Sequence, residues 1–176
     1  MSYLEQIFRQ RAEKNAYFKT SKDSPLTHQD KLSFTNLNYY PPNERFKFIV
    51  EIKPFSASDE VGLRTSKGTI KYFTRQGYIE FEIQNNKFIL TIFKSTDSKY
   101  LFLPFKDLTS KNDTYPAGRY IELEKVDQDT YILDFNKAYN PYCAYSEKFN
   151  CPLVPFENQL SVEIEAGEKR YINMNK

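Results

Sequence analysis

From residue 45 onward, apolar and polar side chains of this 176-residue chain alternate in short segments. In "RFKFIVEIK", Phe46, Phe48, Val50 and Ile52 occupy every second position. Successive side chains of a β-strand point to opposite faces, so this period places the four residues on one buried face. Similar segments recur at hairpin spacing, with almost no helical period between them. The pattern predicts a mainly β fold, an antiparallel sandwich or barrel of about eight to nine strands with an N-terminal helix.

We interpret residues 1–176 as a single domain, because a chain of this length is long enough to bury one sizeable core. The predicted parts are an N-terminal helix at 1–20, an antiparallel β meander at 45–136, a long ordered loop rich in Tyr, Asn, Pro and Cys at 137–159, and a final strand at 160–166. Ser2 with Glu5 three residues later forms a capping box, which marks the helix start.

Three short turns are predicted between strands of the meander. Lys67-Gly68 is typical of a tight hairpin, in which glycine supplies the positive φ angle. Asn85-Asn86 is predicted as a two-residue turn, since asparagine tolerates the left-handed region better than most residues. The last turn is predicted at residues 127–129, between two alternating segments.

Composition and charge exclude several classes of protein. The 25 basic and 23 acidic residues are interspersed and give a net charge of +2, which is too small to indicate nucleic-acid binding. No apolar run approaches the roughly 18 residues of a membrane span, and the N-terminus lacks a signal peptide's apolar region. We therefore expect a cytoplasmic protein with no membrane partner. In the reducing cytoplasm Cys143 and Cys151 are expected to be thiols, whereas an oxidising compartment would permit a disulfide bond between them.

Long strings in the second half of the chain resemble a known family. They are "LFLPFKDLTSKNDTYPAGRY" and "LDFNKAYNPYCAYSEKFNCPLVPFENQLSVEIEAGE", and the earlier "LNYYPPNERFKF" and "RTSKGTIKYFTRQGYIEFEI" extend the likeness over most of the chain. They resemble the bacterial family catalogued as domain of unknown function 1684. Pro116 stands where that family tends to carry glycine, which should stiffen its loop. The resemblance implies a shared fold and brings no established activity.

Motifs of common catalytic or metal chemistry are weak in this sequence. A reactive cysteine needs a neighbouring base, and nothing in the spacing brings His28, the single histidine, to Cys143 or Cys151. Two cysteines and one distant histidine make a poor zinc ligand set. No glycine-rich loop opens a helix that would bind phosphate. We therefore expect no metal and no cofactor.

A polar pair is predicted at the end of the last strand of the meander. Tyr131, Leu133 and Phe135 take one face, so Asp134 and Asn136 project together from the other. If a turn lies at 127–129, Arg119 falls opposite this pair on the preceding strand. Two interpretations stay open: a salt bridge that sets strand register, or an arginine that clamps a ligand carboxylate or phosphate while Asp134 orients it.

The loop at 137–159 is unusually long for a compact domain and rich in side chains that combine apolar rings with polar groups. It is interpreted either as an ordered connection packed over one end of the β core or as a lid over a pocket. Glu157, just before the predicted last strand, could pair with Asp134 for acid–base chemistry. The candidate ligand-binding residues are Tyr115, Arg119, Asp134, Asn136, Tyr139, Asn140, Tyr145, Glu157 and Asn158, with Asp134 and Glu157 as catalytic candidates.

Three functions follow as hypotheses. The favoured one is a domain that binds a small molecule, such as an anionic metabolite, in a pocket at one end of the β core. The second is a small hydrolase or lyase that uses the paired carboxylates. The third is a protein–protein interaction module that presents the tyrosine-rich loop, because tyrosine is favoured at interfaces. The sequence leaves catalysis and oligomeric state undecided.

Overall fold

A helix opens the chain, as the capping box predicts. The computed structural model describes residues 1–57, 59–95 and 101–172, and its first element is α1, Tyr3–Thr20. Glu5 N–H donates to the Ser2 hydroxyl at 3.3 Å, and Ser2 N–H donates to the Glu5 carboxylate at 2.6 Å. A short helix α2, His28–Ser33, follows. Within the described ranges, no helix has the length and apolarity of a membrane span.

In the described residues, eight antiparallel strands form two sheets, so the prediction of a mainly β fold is confirmed. The strands are β1 (Lys47–Glu51), β2 (Glu60–Arg64), β3 (Ile70–Ile83), β4 (Asn86–Ser95), β5 (Leu101–Phe105), β6 (Arg119–Ile121), β7 (Glu124–Lys125) and β8 (Thr130–Asp134). One sheet has the order β2-β3-β4-β5-β6 and the other β1-β8-β7. The described strands close no barrel, and the two sheets form a sandwich-like arrangement.

The first strand does not belong to a continuous meander, which corrects the prediction for residues 45–136. β1 pairs with β8, with Lys47 opposite Asp134 and Glu51 opposite Thr130. Beyond β1, Lys53 exchanges two backbone hydrogen bonds with Tyr78 of β3, at 2.8 and 2.9 Å. Pro54 follows and has no N–H to continue this ladder. The chain thus crosses from one sheet to the other here, and the meander comprises only β2 to β6.

The turns agree with the sequence except for a shift of one residue. Gly68 has a φ of 78° in the β2–β3 hairpin, as predicted. Between β3 and β4 the positive φ angles fall at Gln84 and Asn85, at 51° and 63°, while Asn86 pairs with Ile83. The turn predicted at Asn85-Asn86 is therefore Gln84-Asn85. The predicted turn at 127–129 does connect β7 to β8.

The main core consists of buried apolar residues contributed mostly by strands of both sheets and by the chain after β8. They are Val50, Ile79, Phe81, Leu90, Ile92, Leu103, Phe105, Ile121, Leu133, Phe135, Ala138, Leu160, Ile164 and Ala166. Strand members recur at alternate positions, as in Ile79 and Phe81 or Leu90 and Ile92, which is the period of two seen in the sequence. A second cluster packs Phe18 of α1 against Tyr145 and residues 26–37.

No strand forms at 160–166, so the predicted final strand is wrong. Leu160 N–H donates to the Lys106 carbonyl at 2.7 Å, and the Val162 carbonyl accepts from Leu108 N–H at 3.0 Å. Ile164 N–H instead binds the Asp107 carboxylate at 2.8 Å. The apolar residues of this segment alternate because every second residue packs on the core. The Asp107 side chain, however, binds the Ile164 N–H, which is a backbone donor that strand pairing would need.

Two glycines with positive φ provide a test of the packing at the start of β6. Gly118 has a φ of 97°, and a Cβ added there would lie 2.6 Å from the Phe105 carbonyl oxygen. Gly68 has a φ of 78°, and a Cβ added there would have no heavy atom within 4 Å beyond its chain neighbours. We expect Gly68→Ala to cost about 1 kcal/mol of unfolding free energy from backbone strain alone. Gly118→Ala should cost about 1–3 kcal/mol more, because the added methyl is overpacked.

Urea denaturation of the two variants beside the parent chain measures this difference. Equal losses of stability would contradict the close contact between Gly118 and β5.

Candidate functional site

Arg119 does not lie beside Asp134, so the predicted pairing is wrong. Arg119 begins β6 and is opposite Phe105 of β5 in the five-stranded sheet, whereas Asp134 ends β8 in the other sheet. The chain changes sheets between β6 and β7, so the two strands do not form the predicted hairpin. The carboxylate partner of Arg119 is Asp107, with an Nη2–Oδ1 distance of 3.2 Å.

The Arg119 guanidinium holds the C-terminal segment against the sheet. It donates to the backbone carbonyls of Ile164, Ala166 and Glu168. Its exposed fraction is 0%, and burial lowers the pKa of Arg119 while the Asp107 carboxylate opposes that shift. A fully buried guanidinium with these partners is out of reach of a ligand from solvent, so this residue has a structural role.

Asp134 and Asn136 do lie together, as predicted, and they join the N-terminal part of the chain to the sheet. The Asp134 carboxylate accepts hydrogen bonds at 3.0 Å from the Tyr3 hydroxyl and from the Asn136 backbone and side-chain amides. Asn136 also exchanges two hydrogen bonds of 2.8 Å with the Asn43 backbone. Burial and the Asp134 charge raise the pKa of the Tyr3 phenol.

Asn140 and Tyr145 of the long loop surround a buried carboxylate that is absent from the predicted site residues. Glu168 is 0% exposed and accepts from the Asn140 amide at 3.1 Å, from the Tyr145 hydroxyl, and from Lys14 Nζ of α1 at 2.8 Å. Burial and the Glu168 charge raise the pKa of Tyr145. These hydrogen bonds tie the loop to α1 through Glu168.

Glu157 and Asn158, in a 3₁₀ turn at Phe156–Asn158, face different surroundings. Asn158 is buried, and its side-chain amide exchanges two hydrogen bonds of 2.8 Å with the Thr91 backbone: Oδ1 accepts from Thr91 N–H and Nδ2 donates to the Thr91 carbonyl. Glu157 forms a partly exposed ion pair with Arg75 of β3 at 2.7 Å. Asp134 shares none of these contacts, so the geometry gives no support to acid–base chemistry by Glu157 and Asp134.

Tyr115 and Tyr139 are the remaining candidates, and they also lie apart. The Tyr115 hydroxyl lies 3.6 Å from Cys143 Sγ. Tyr115 is the first residue of a four-residue turn in which Gly118 N–H donates to the Tyr115 carbonyl at 3.0 Å. Pro116 is the second residue of this turn, a position where proline is favoured. The Tyr139 hydroxyl donates to Glu122 at 3.4 Å. The predicted residues therefore form several separate clusters instead of one pocket rim.

A cavity of about 80 Å³ lies between α1 and the segment that follows β8. We call it the α1 cavity, and it is lined by Ile7, Gln10, Arg11, Lys14, Tyr39, Asn136, Lys137, Ala138 and Tyr139. Asn136 and Tyr139 are the predicted site residues that it includes. Asp134 borders a different cavity, together with Glu122 and Glu124.

The lining of the α1 cavity is positively charged. It contains Arg11, Lys14 and Lys137 and no acidic residue. Lys14 is paired with Glu168 at 2.8 Å and Lys137 with Glu124 at 2.9 Å. The charge of both lysines is therefore partly neutralised.

Arg11 differs from the two lysines because its partners are uncharged. Its two Nη atoms donate to the carbonyls of Tyr40 at 2.9 Å and Asn136 at 3.4 Å, and its Cζ lies 4.4 Å above the Tyr39 ring. Within the described part of the chain, its Nε has no hydrogen-bond partner and no carboxylate lies within ion-pair distance. Burial lowers the pKa of Arg11.

The sequence contains a signal for this cavity that the predicted site residues leave out. Ile7, Arg11 and Lys14 are spaced by four and three residues, so they share one face of α1. Ile7 is buried, at 1% exposure, which places the two cations at the edge of the packed face. A cation beside the buried stripe of a helix can indicate a site, although it more often covers apolar surface.

Comparison with known proteins places the chain beside proteins without an assigned activity. The family model described as "Protein of unknown function (DUF1684)" matches residues 32–169. The solution NMR structure of the uncharacterized protein from gene locus rrnAC0354 of Haloarcula marismortui is similar, with a TM-score of 0.71 and 32% sequence identity. The match covers 94% of this chain and 92% of that one. No curated protein matches the chain.

The contrast between a buried and an exposed ion pair gives a prediction for the role of Arg119. Asp107→Asn leaves the guanidinium buried without a counter-charge, so we expect a loss of about 3–5 kcal/mol in unfolding free energy. Glu157→Gln removes one of the two carboxylates beside the partly exposed Arg75, which keeps Asp59 at 3.3 Å, and should cost at most about 1 kcal/mol.

Chemical denaturation monitored by circular dichroism checks both values. A loss for Asp107→Asn as small as that for Glu157→Gln would show that the buried pair does not hold the C-terminal segment.

Proposed function

We propose that this chain, which belongs to the DUF1684 family of proteins of unknown function, binds a small anionic molecule in the α1 cavity. The observation that carries the proposal is the state of Arg11. A guanidinium attracts carboxylate and phosphate groups strongly, and removing it from water without a counter-charge is unfavourable. The Asp134 and Glu168 charges act on Arg11 only from beyond ion-pair distance, and an anion in the cavity would be its direct counter-charge.

The size and lining of the α1 cavity limit the ligand. A volume of about 80 Å³ suits a phosphate-sized or carboxylate-sized group. Gln10 adds an amide group, and the rings of Tyr39 and Tyr139 add apolar walls. Small-molecule sites commonly combine apolar walls with a few polar groups of this kind.

This proposal keeps the anionic ligand that the sequence led us to expect but assigns its binding to a different arginine. Arg119 is replaced by Arg11 as the group that meets the anion, while Asn136 and Tyr139 remain lining residues. The hydrolase or lyase hypothesis has less support, because Asp134 and Glu157 have separate partners. An interaction surface made by the tyrosine-rich loop also has less support, since Tyr145 is buried against Glu168 and only Tyr142, at 37% exposure, is an exposed tyrosine among the described loop residues.

Titration calorimetry with inorganic phosphate, sulfate and a series of short carboxylates tests the proposal. We expect at least one of these anions to bind with a single-site isotherm. Arg11→Gln should weaken that binding about tenfold or more, because a hydrogen bond to a charged group contributes about 1.5–3 kcal/mol.

Arg9→Gln is the matched control. Arg9 lies on the same helix, is exposed, and pairs with Glu13 at 2.8 Å, so its loss should leave the affinity nearly unchanged. Circular dichroism verifies that both variants keep the fold. Failure of every anion to bind, or equal effects of the two substitutions, would overturn the proposed function.

A further inference from the structure

The two cysteines of the long loop meet at the surface of the β2–β3 hairpin. Cys143 lies in a 3₁₀ turn, Tyr142–Ala144, and its backbone N–H donates to Cys151 Sγ at 3.3 Å. Both residues are half-buried and both thiols are free. The sequence alone permits either two thiols or a bridge, and the geometry brings the Cys151 sulfur against the Cys143 backbone.

Cys151 is held in this position by the hairpin. Its N–H donates to the Ser66 hydroxyl at 3.1 Å, and its carbonyl accepts from Ser66 N–H at 2.9 Å. Leu153 N–H donates to the Arg64 carbonyl at 2.8 Å, which continues the attachment. The backbone around Cys143 is fixed by the Tyr145 N–H, which donates to the Tyr142 carbonyl at 3.0 Å. Both sulfur atoms are therefore held close together by the backbone.

The surroundings of the two thiols differ. The hydrogen bond from Cys151 lowers the pKa of Cys143, and the Tyr115 hydroxyl at 3.6 Å contributes in the same direction. The same contact raises the pKa of Cys151. A thiolate is the nucleophilic form of cysteine, and the Tyr115 hydroxyl lies where it can donate to a Cys143 thiolate, which favours Cys143 for the attacking role.

We propose that Cys143 and Cys151 form a thiol–disulfide exchange site, with Cys143 as the attacking and Cys151 as the resolving residue. The co-reactant is a low-molecular-weight disulfide, RSSR. The Cys143 thiolate attacks one sulfur of RSSR, a Cys143–SR bond forms, and the S–S bond of RSSR breaks to release one thiolate.

The second step closes the internal disulfide. Cys151 loses its proton to the released thiolate, attacks Cys143 Sγ and expels the second thiolate, which takes up a proton from water. In sum, two protein thiols are oxidised to one disulfide and RSSR is reduced to two RSH. The product joins two points of the loop that the hairpin already holds together.

The experiment uses the full reduced chain and oxidised glutathione as the disulfide. Intact-mass analysis should show that the product loses two hydrogen atoms and retains no glutathione. Cys151→Ser should accumulate one glutathione on Cys143, because the resolving thiol is absent. Cys143→Ser should react about tenfold or more slowly, since the low-pKa thiol is removed.

Peptide mapping of the parent chain, quenched early with iodoacetamide, gives a test that needs no variant. It should find the transient mixed disulfide on Cys143 and not on Cys151. A stable glutathione adduct on both cysteines, the absence of any reaction, or equal rates for the two variants would overturn the assignment.

Discussion

The buried ion pair between Arg119 and Asp107 fixes the arrangement on which the other contacts depend. Arg119 reaches from β6 to the carbonyls of residues 164–168, and Asp107 binds the Ile164 amide. An unpaired charge in the interior is costly, and here Arg119 and Asp107 neutralise each other while Arg119 Nη1 and Nη2 also bind backbone carbonyls. The pair therefore locates the C-terminal segment and places Glu168 where Lys14, Asn140 and Tyr145 can meet it. Those contacts dock α1 and form one side of the α1 cavity.

The strands were predictable because their signal is local. The period of two in β3 and β4 places Ile79, Phe81, Leu90 and Ile92 in the core, as the alternation indicates. Asp134 and Asn136 lie together for a different reason than the predicted strand: β8 ends at Asp134, and Asn136 lies in the 3₁₀ turn Phe135–Lys137, which the Asp134 side chain caps. By contrast, β1 pairs with a strand about eighty positions later along the chain, and no local pattern specifies such a partner.

The candidate site was harder to predict because its members come from distant parts of the chain. The prediction paired Arg119 with Asp134 on the assumption of a hairpin, and the change of sheet between β6 and β7 has no mark in the alternation. Abundant polar side chains after residue 133 indicated a site, yet most of them bind the chain itself. The proposed anion-binding residue is Arg11 of α1, and a single charged residue on a helix carries no distinctive signal in the sequence.

Two arginines thus have opposite roles: the buried arginine of β6 holds the fold, and the arginine of α1 is the one proposed to meet a ligand. An NMR titration with phosphate that follows the Nε–H resonances of both arginines tests this division directly. We predict a saturable shift of the Arg11 resonance, accompanied by the amides of residues 136–139, and a constant Arg119 resonance. A saturable shift at Arg119 with none at Arg11 would contradict it.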